Sequence, residues 1–256
     1  MTPLSRERAL IGNYARQALI RFRKSLIQID EDDGLYRARM LGQSWFIPVN
    51  DRGTALWAFR FMKVQDRYLE LVRSGDIVID VGACTGEYAV PAARRVGPTG
   101  HVYAFEAAPG PFRCLERNAA NAKLKNITAV NMAVSNKREK AKAFFDIPCT
   151  IAGGSLHYRH SAESEVNTVT LDAYFENRVP HVGVLKIAVN GYEPQVIEGA
   201  STILPNTRHV VFQSAFHESV IRLLVGAGFE MSKSVPRGED SEGRAVRVVL
   251  MERTHS

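Results

Sequence analysis

The chain has 256 residues, 45% hydrophobic and 23% charged, an ordinary make-up for a soluble globular protein with one α/β domain and an extension, or two small domains. No apolar run reaches the roughly 18 residues of a membrane span, and Met1 to Lys24 lacks the apolar stretch and small-residue cleavage site of a secretory leader. Cys84, Cys114 and Cys149 are odd in number, far apart and without a CxxC pair, which argues against a disulfide framework or a zinc knuckle and suits a reducing, cytoplasmic setting. The Asn126-Ile127-Thr128 sequon carries no weight without a secretion signal.

The net charge of +6 is unevenly placed: residues 1–149 hold 23 Lys/Arg against 15 Asp/Glu, and residues 150–256 hold 10 against 12. From Ser5 to about Ile29, the apolar residues Leu10, Ile11, Tyr14, Ala18, Phe22 and Leu26 recur at three and four, which predicts a helix packed on the body or on a partner subunit. Arg6, Arg8, Arg16, Arg21, Arg23 and Lys24 lie in it, either as a solvated face or as a contact with an anionic surface. Leu35 to Met40 and Ser44 to Val49 read as a hairpin, and Thr54 to Val72 as a capped helix. Strands are then predicted at Ile77 to Val81, His101 to Phe105, Ile127 to Met132, Val182 to Val189 and His209 to Gln213. Helices are predicted at Tyr88 to Arg95, Pro111 to Ala122 and Pro194 to Leu204. Phe229 to Ser232 and Ala245 to Glu252 close the series without an intervening helix. Such alternation means a mostly parallel sheet covered on both faces, with the last pair as an antiparallel edge. The organisation expected is an extension over 1–53 and an α/β domain over 54–256.

Asp80-Val81-Gly82-Ala83-Cys84-Thr85-Gly86 follows the first of these strands and opens a helix. Glycines at 82 and 86 permit a tight turn and close backbone approach, and ligands of open parallel sheets bind at the carboxyl ends of the strands. Glu106 ends the next strand, where a carboxylate can accept hydrogen bonds from both hydroxyls of a ribose. A dinucleotide site would show G-x-G-x-x-G so that a pyrophosphate rests on the helix N-terminus. Here the spacing is Gly-x-x-x-Gly behind an acid that would repel pyrophosphate but attract the ammonium of a methionine moiety, directly or through water. The plain alternative is a βα turn with an incidental glycine pair.

Four segments together, Gly75 to Ala83, Glu106-Ala107-Ala108-Pro109, Val169-Thr170-Leu171-Asp172 and Leu185 to Glu193, resemble the FkbM family of methyltransferases over roughly residues 54 to 213. The resemblance implies a class I, Rossmann-like α/β fold with seven strands. It also implies S-adenosylmethionine as donor, S-adenosylhomocysteine as product, and most often a hydroxyl acceptor on a sugar or natural product. By similarity Asp80, Gly82 and Gly86 hold the methionine end and Glu106 the ribose, with Ala83, Glu87, Tyr88 and Ala107 adjoining. Asn131 and Ala133 lie where such folds meet adenine.

The family usually reads Lys-x-Asp-x-Glu-Gly at the end of the fourth strand. This chain reads Lys186-Ile187-Ala188-Val189-Asn190-Gly191, so both acids are missing while Lys186 and Glu193 remain. Methyl transfer is an in-line displacement in which positioning supplies much of the rate. A hydroxyl acceptor must also shed its proton to a base, whereas an amine can arrive neutral and be oriented by Asn190. Lys186 is either a structural ion pair or a substrate contact. Glu193 and His157, the latter in a polar segment between the third and fourth strands, are the remaining catalytic candidates; His160, His181 and His217 read as surface or hydrogen-bonded residues. No metal-ligand spacing and no G-x-S-x-G elbow occurs. The expected acceptor is a small molecule, such as a saccharide or amino sugar, rather than nucleic acid, with a homo-oligomer possible through the N-terminal helix. Two alternatives stand beside it: an RNA or protein methyltransferase gripping its partner with that helix, and a non-catalytic cofactor-binding protein.

Overall fold

The computed structural model describes residues 28–32, 35–40, 43–48, 69–145, 162–239 and 243–254. Nearly all of the N-terminal helix, most of the 54–72 helix, and both His157 and His160 lie outside them. Three N-terminal strands, β1 (Gln28–Asp32), β2 (Leu35–Met40) and β3 (Gln43–Pro48), form an antiparallel sheet in that order. The hairpin is therefore present, but Gln28 and Ile29, read as the end of a helix, belong to a strand. Pairing of Ile29 with Ala38 across the sheet overrides the helical spacing there.

The body is a seven-stranded sheet in which the last two strands are the antiparallel edge, as the missing helix between them predicts. Its parallel strands are β4 (Ile77–Val81), β5 (His101–Phe105), β6 (Ile127–Val130), β10 (Val182–Ile187) and β11 (Thr207–Ser214). The antiparallel pair is β12 (Phe229–Glu239) and β13 (Ala245–Arg253), and the order across the sheet is β12-β13-β11-β10-β4-β5-β6. Between β6 and β10 the chain makes a small second sheet of β7 (Ala133–Val134), β8 (Lys140–Phe145) and β9 (Ala162–Val169). Sequence reasoning gave this stretch no strands, because Lys140-Ala141-Lys142-Ala143 alternates with alanine rather than with the β-branched residues that mark a strand.

Alternation along the strands sorts the core onto two faces. Val78, Val102, Ala104, Val184 and Val211 pack against Ala89, Ala92, Ala93 and Val96 of α1 (Ala89–Val96) and Leu115 of α2 (Pro109–Asn121). On the other face, Ile79, Val81, Phe105, Leu185, Ile187 and Phe212 pack under α3 (Leu171–Tyr174), α4 (Glu193–Glu198) and α5 (His217–Gly226). The helix predicted to Leu204 ends at Glu198, and α5 is absent from the sequence-based reading.

Strand order reverses between β4 and β10, so the crevice for a ligand opens where their carboxyl ends meet. Here the glycines meet protein rather than open space. Gly82 has φ +78°, and a Cβ on it would lie 2.2 Å from the carbonyl oxygen of Ala188, just past β10. Gly86 has φ +96°, and its Cβ would lie 2.9 Å from Leu115 Cδ1 on α2. A leucine tip can swing aside, but a backbone carbonyl at the end of a central strand cannot. Gly82→Ala is therefore expected to cost at least about 3 kcal/mol of stability and Gly86→Ala about 1–2 kcal/mol, read from urea midpoints of the two variants.

Candidate active site

The loop from Gly82 to Gly86 satisfies its own amides. Gly82 and Ala83 donate to the carbonyl of Phe105, and Gly86 donates to that of Ala83, each at 2.9 Å. The Cys84 amide donates to Glu106 Oε2 at 2.8 Å, and the Thr85 amide to Glu87 Oε2 at 3.0 Å. A loop that binds pyrophosphate needs such amides turned toward the ligand. This one has none left over, which excludes a phosphate cradle and agrees with the acid behind it.

Asp80 and Lys186 occupy register-paired positions of β4 and β10, so their side chains share a face. Lys186 Nζ lies 2.8 Å from Asp80 Oδ1 and donates to the carbonyl of Gly82, also at 2.8 Å. Asp80 is fully buried, and this burial raises its pKa above the ordinary carboxylate value, opposed by the Lys186 ammonium. Asp80, read from sequence as a partner for the methionine ammonium directly or through water, lies beneath the loop and is tied to it by Lys186. Lys186 is the ion-pair partner in this structure.

Glu106 follows β5 directly and is partly accessible. Oε2 takes the Cys84 amide and Oε1 the Ala108 amide, each at 2.8 Å. A carboxylate has about four lone-pair directions, so each oxygen keeps one for a hydroxyl. Burial pushes its pKa up to about 7 against the pull of those two amides. Asn131 donates to the carbonyls of Glu106 at 2.8 Å and Ala107 at 3.2 Å, which fixes the turn after β5. Ala133, in β7, and Tyr88, ahead of α1, are buried. Glu87 folds back to receive both the amide and the hydroxyl of Thr85.

Past the end of β10, Asn190 and Gly191 turn the chain with φ +51° and +99°. Glycine is the natural choice for such a conformation, and asparagine is one of the few other residues that adopt it readily. Glu193 governs this turn from inside. Its fully buried carboxylate accepts from the amides of Val189 and Gly191, each at 3.1 Å, and from Ser214 Oγ at 2.7 Å. Glu193, a catalytic candidate in the sequence, thus lies inside the structure and ties the turn after β10 to β11. His157 lies outside the described residues. Among the described residues no cluster of His, Cys, Asp and Glu could hold a metal ion.

Asn118 escaped the sequence reading. It lies on α2, 2% exposed, and its side chain bonds both β3 and the glycine loop. The available signal was a polar residue on the buried stripe of Cys114, Leu115 and Ala119.

A seven-stranded sheet of this order, a glycine loop without free amides and a carboxylate after β5 define a class I S-adenosylmethionine-dependent methyltransferase. The model of the methyltransferase FkbM domain matches residues 80–231, more than half of the chain, and the protein belongs to that family. S-adenosylmethionine is accordingly its cofactor. No curated protein matches the chain. Among solved structures it is similar to Trm5b from Pyrococcus abyssi, with 12% identity and a TM-score of 0.52, over 87% of this chain and 56% of that one. TYW2 from P. horikoshii, solved with MeSAdo, gives 14% identity and a TM-score of 0.51 over 87% and 72%. The M. jannaschii tRNA m1G37 methyltransferase gives 10% and 0.49 over 88% and 59%. At these identities the likeness speaks to the fold alone. The chain thus spans little more than half the length of Trm5b.

If Glu106 is the ribose ligand, its ionised carboxylate accepts from the hydroxyls, so binding favours the deprotonated form and affinity is lost as pH falls through about 7. Calorimetric affinity for S-adenosylmethionine should drop roughly tenfold per pH unit well below that value. Glu106→Gln should bind weakly and lose this dependence.

Proposed function

We propose that the protein transfers the methyl group of S-adenosylmethionine to an amino nitrogen of a small metabolite, with an amino sugar or aminated natural product as the substrate class. The observation that supports this is the commitment of the carboxylates at the strand ends. Asp80 is ion-paired to Lys186, Glu106 holds two amides on the donor side, and Glu193 is closed within the turn after β10. Where the family usually carries two acids, Ala188 and Asn190 stand. A hydroxyl acceptor would need a base that none of these groups supplies.

An amine needs none at the moment of transfer. Its lone pair attacks the methyl carbon in line with the C–S bond, and the bonding pair leaves with sulfur as S-adenosylhomocysteine. The resulting ammonium then loses a proton to water. The protein's part is to orient the neutral amine, a role we assign to the turn that carries Asn190 at the end of β10.

A nucleic-acid acceptor, the activity by which the M. jannaschii neighbour is named, is the second reading, and the earlier expectation against nucleic acid is not carried further. One observation favours it. The exposed Lys137 and Arg138 stand two and three residues after Ser135, whose hydroxyl lies 3.2 Å from that of Tyr192, beside the Asn190 turn. Positive charge thus borders the acceptor side, although Lys137 is itself paired to Glu139 at 2.9 Å.

Turnover of a panel of amino sugars and their hydroxyl counterparts tests both readings. Methylation of the amines alone is expected, with kcat/KM rising in step with amine deprotonation up to the amine pKa. Transfer to the hydroxyl compounds, or a profile indifferent to amine ionisation, would overturn nitrogen transfer. Tight RNA binding with a steep loss on added salt would favour the second reading.

A further inference from the structure

β3 is the outer strand of the N-terminal sheet, and the side of its backbone that faces away from β2 is unpaired by strands. An exposed row of that kind is normally covered or blunted. Here it is covered by asparagine side chains of α2. The Asn118 carboxamide meets Phe46 on both counts: Oδ1 accepts from its amide at 2.6 Å, and Nδ2 donates to its carbonyl at 2.9 Å. Asn121, one helical turn on, donates to the carbonyl of Ser44. The spacings match, because residues three apart on a helix share a face and residues two apart on a strand turn the same backbone edge outward. Around these bonds Phe46 packs on Cys114, and the Arg117 guanidinium lies 5.0 Å from the Phe46 ring centroid.

The second Nδ2 hydrogen of Asn118 reaches the other way, to the carbonyl of Thr85 at 2.8 Å. One buried amide therefore joins the N-terminal sheet to the loop read here as the donor site. Its oxygen and both hydrogens are used, so no water or alternative rotamer can replace one bond without breaking the others. Thr85 in turn sits between Cys84, whose amide holds Glu106, and Gly86.

We infer that Asn118 is a positioning residue for cofactor binding, through which docking of β3 and occupancy of the donor site are coupled. Linkage requires the coupling to be reciprocal: a docked β3 holds the loop in its binding geometry, and a bound cofactor holds β3 in place. The N-terminal sheet is then part of the donor site's support. The inference rests on assigning the Gly82–Gly86 loop and Glu106 to S-adenosylmethionine.

Hydrogen exchange and calorimetry on the full chain test it, with S-adenosylmethionine as the ligand. In the unaltered protein, saturating cofactor should slow amide exchange across residues 43–48 at least severalfold. Asn118→Ala and Asn118→Asp, which cannot donate to Thr85, should bind the cofactor at least tenfold more weakly and lose that protection. Asn121→Ala, which leaves the Thr85 bond intact, should speed exchange at 43–48 when free and regain protection when cofactor binds. Cofactor binding that leaves exchange at 43–48 unchanged, or Asn118 variants that bind with undiminished affinity, would overturn the coupling. Should the Asn118 variants not fold, the exchange response of the unaltered protein and of Asn121→Ala decides alone. Failure of the unaltered protein to bind cofactor would instead remove the donor-site assignment itself.

Discussion

The arrangement of the site depends on the ion pair between Asp80 and Lys186. It lies where the strand order reverses, and it fastens the end of β4 to the end of β10. A buried carboxylate with no partner would be strongly destabilising, and breaking such a pair typically costs about 3–5 kcal/mol. Lys186 offsets the desolvation of Asp80 and spends a further hydrogen on the carbonyl of Gly82. The glycine can then lie against Ala188 at a distance that admits no Cβ. The glycine loop and the end of β10 are thereby set at one separation.

Around this pair the polar groups are used for shape more than for chemistry. Glu193 holds the turn that presents Asn190, Ser214 joins that turn to β11, and Asn131 holds the backbone beside Glu106. Glu106 is the exception, being partly accessible and able to accept more hydrogen bonds. A site whose acids are so committed is suited to reactions in which alignment supplies the rate and proton transfer asks little of the protein. Methyl transfer from an activated sulfonium meets that description.

The N-terminal sheet shows how a segment with few residues of its own is kept in place. Three short strands are marginal in isolation. Their outer edge is completed by carboxamides of α2, and Phe46 is buried against Cys114. Because the same carboxamide continues to Thr85, the support of the sheet and the support of the donor loop are one structure.

The strands, the glycine loop and the acid after β5 were legible in the sequence, since each is a local pattern of β-branched runs, turn residues and spacing. The antiparallel edge was legible for the same reason, from two strands with no helix between them. The family was legible because its motifs are contiguous. What tertiary structure alone decided is which polar side chains face inward and which partner each one finds. That Asp80 and Glu193 are both buried was not legible, because their partners stand more than a hundred residues away at Lys186 and some twenty away at Ser214. The strands at 140–145 and 162–169 were not visible, because their stability comes from pairing with each other rather than from propensity. Asn118 was invisible as a site residue because its significance lies in joining Phe46 and Thr85, 72 and 33 residues distant. Local pattern determined the donor and the frame; long-range pairing of buried polar groups determined how that frame is held.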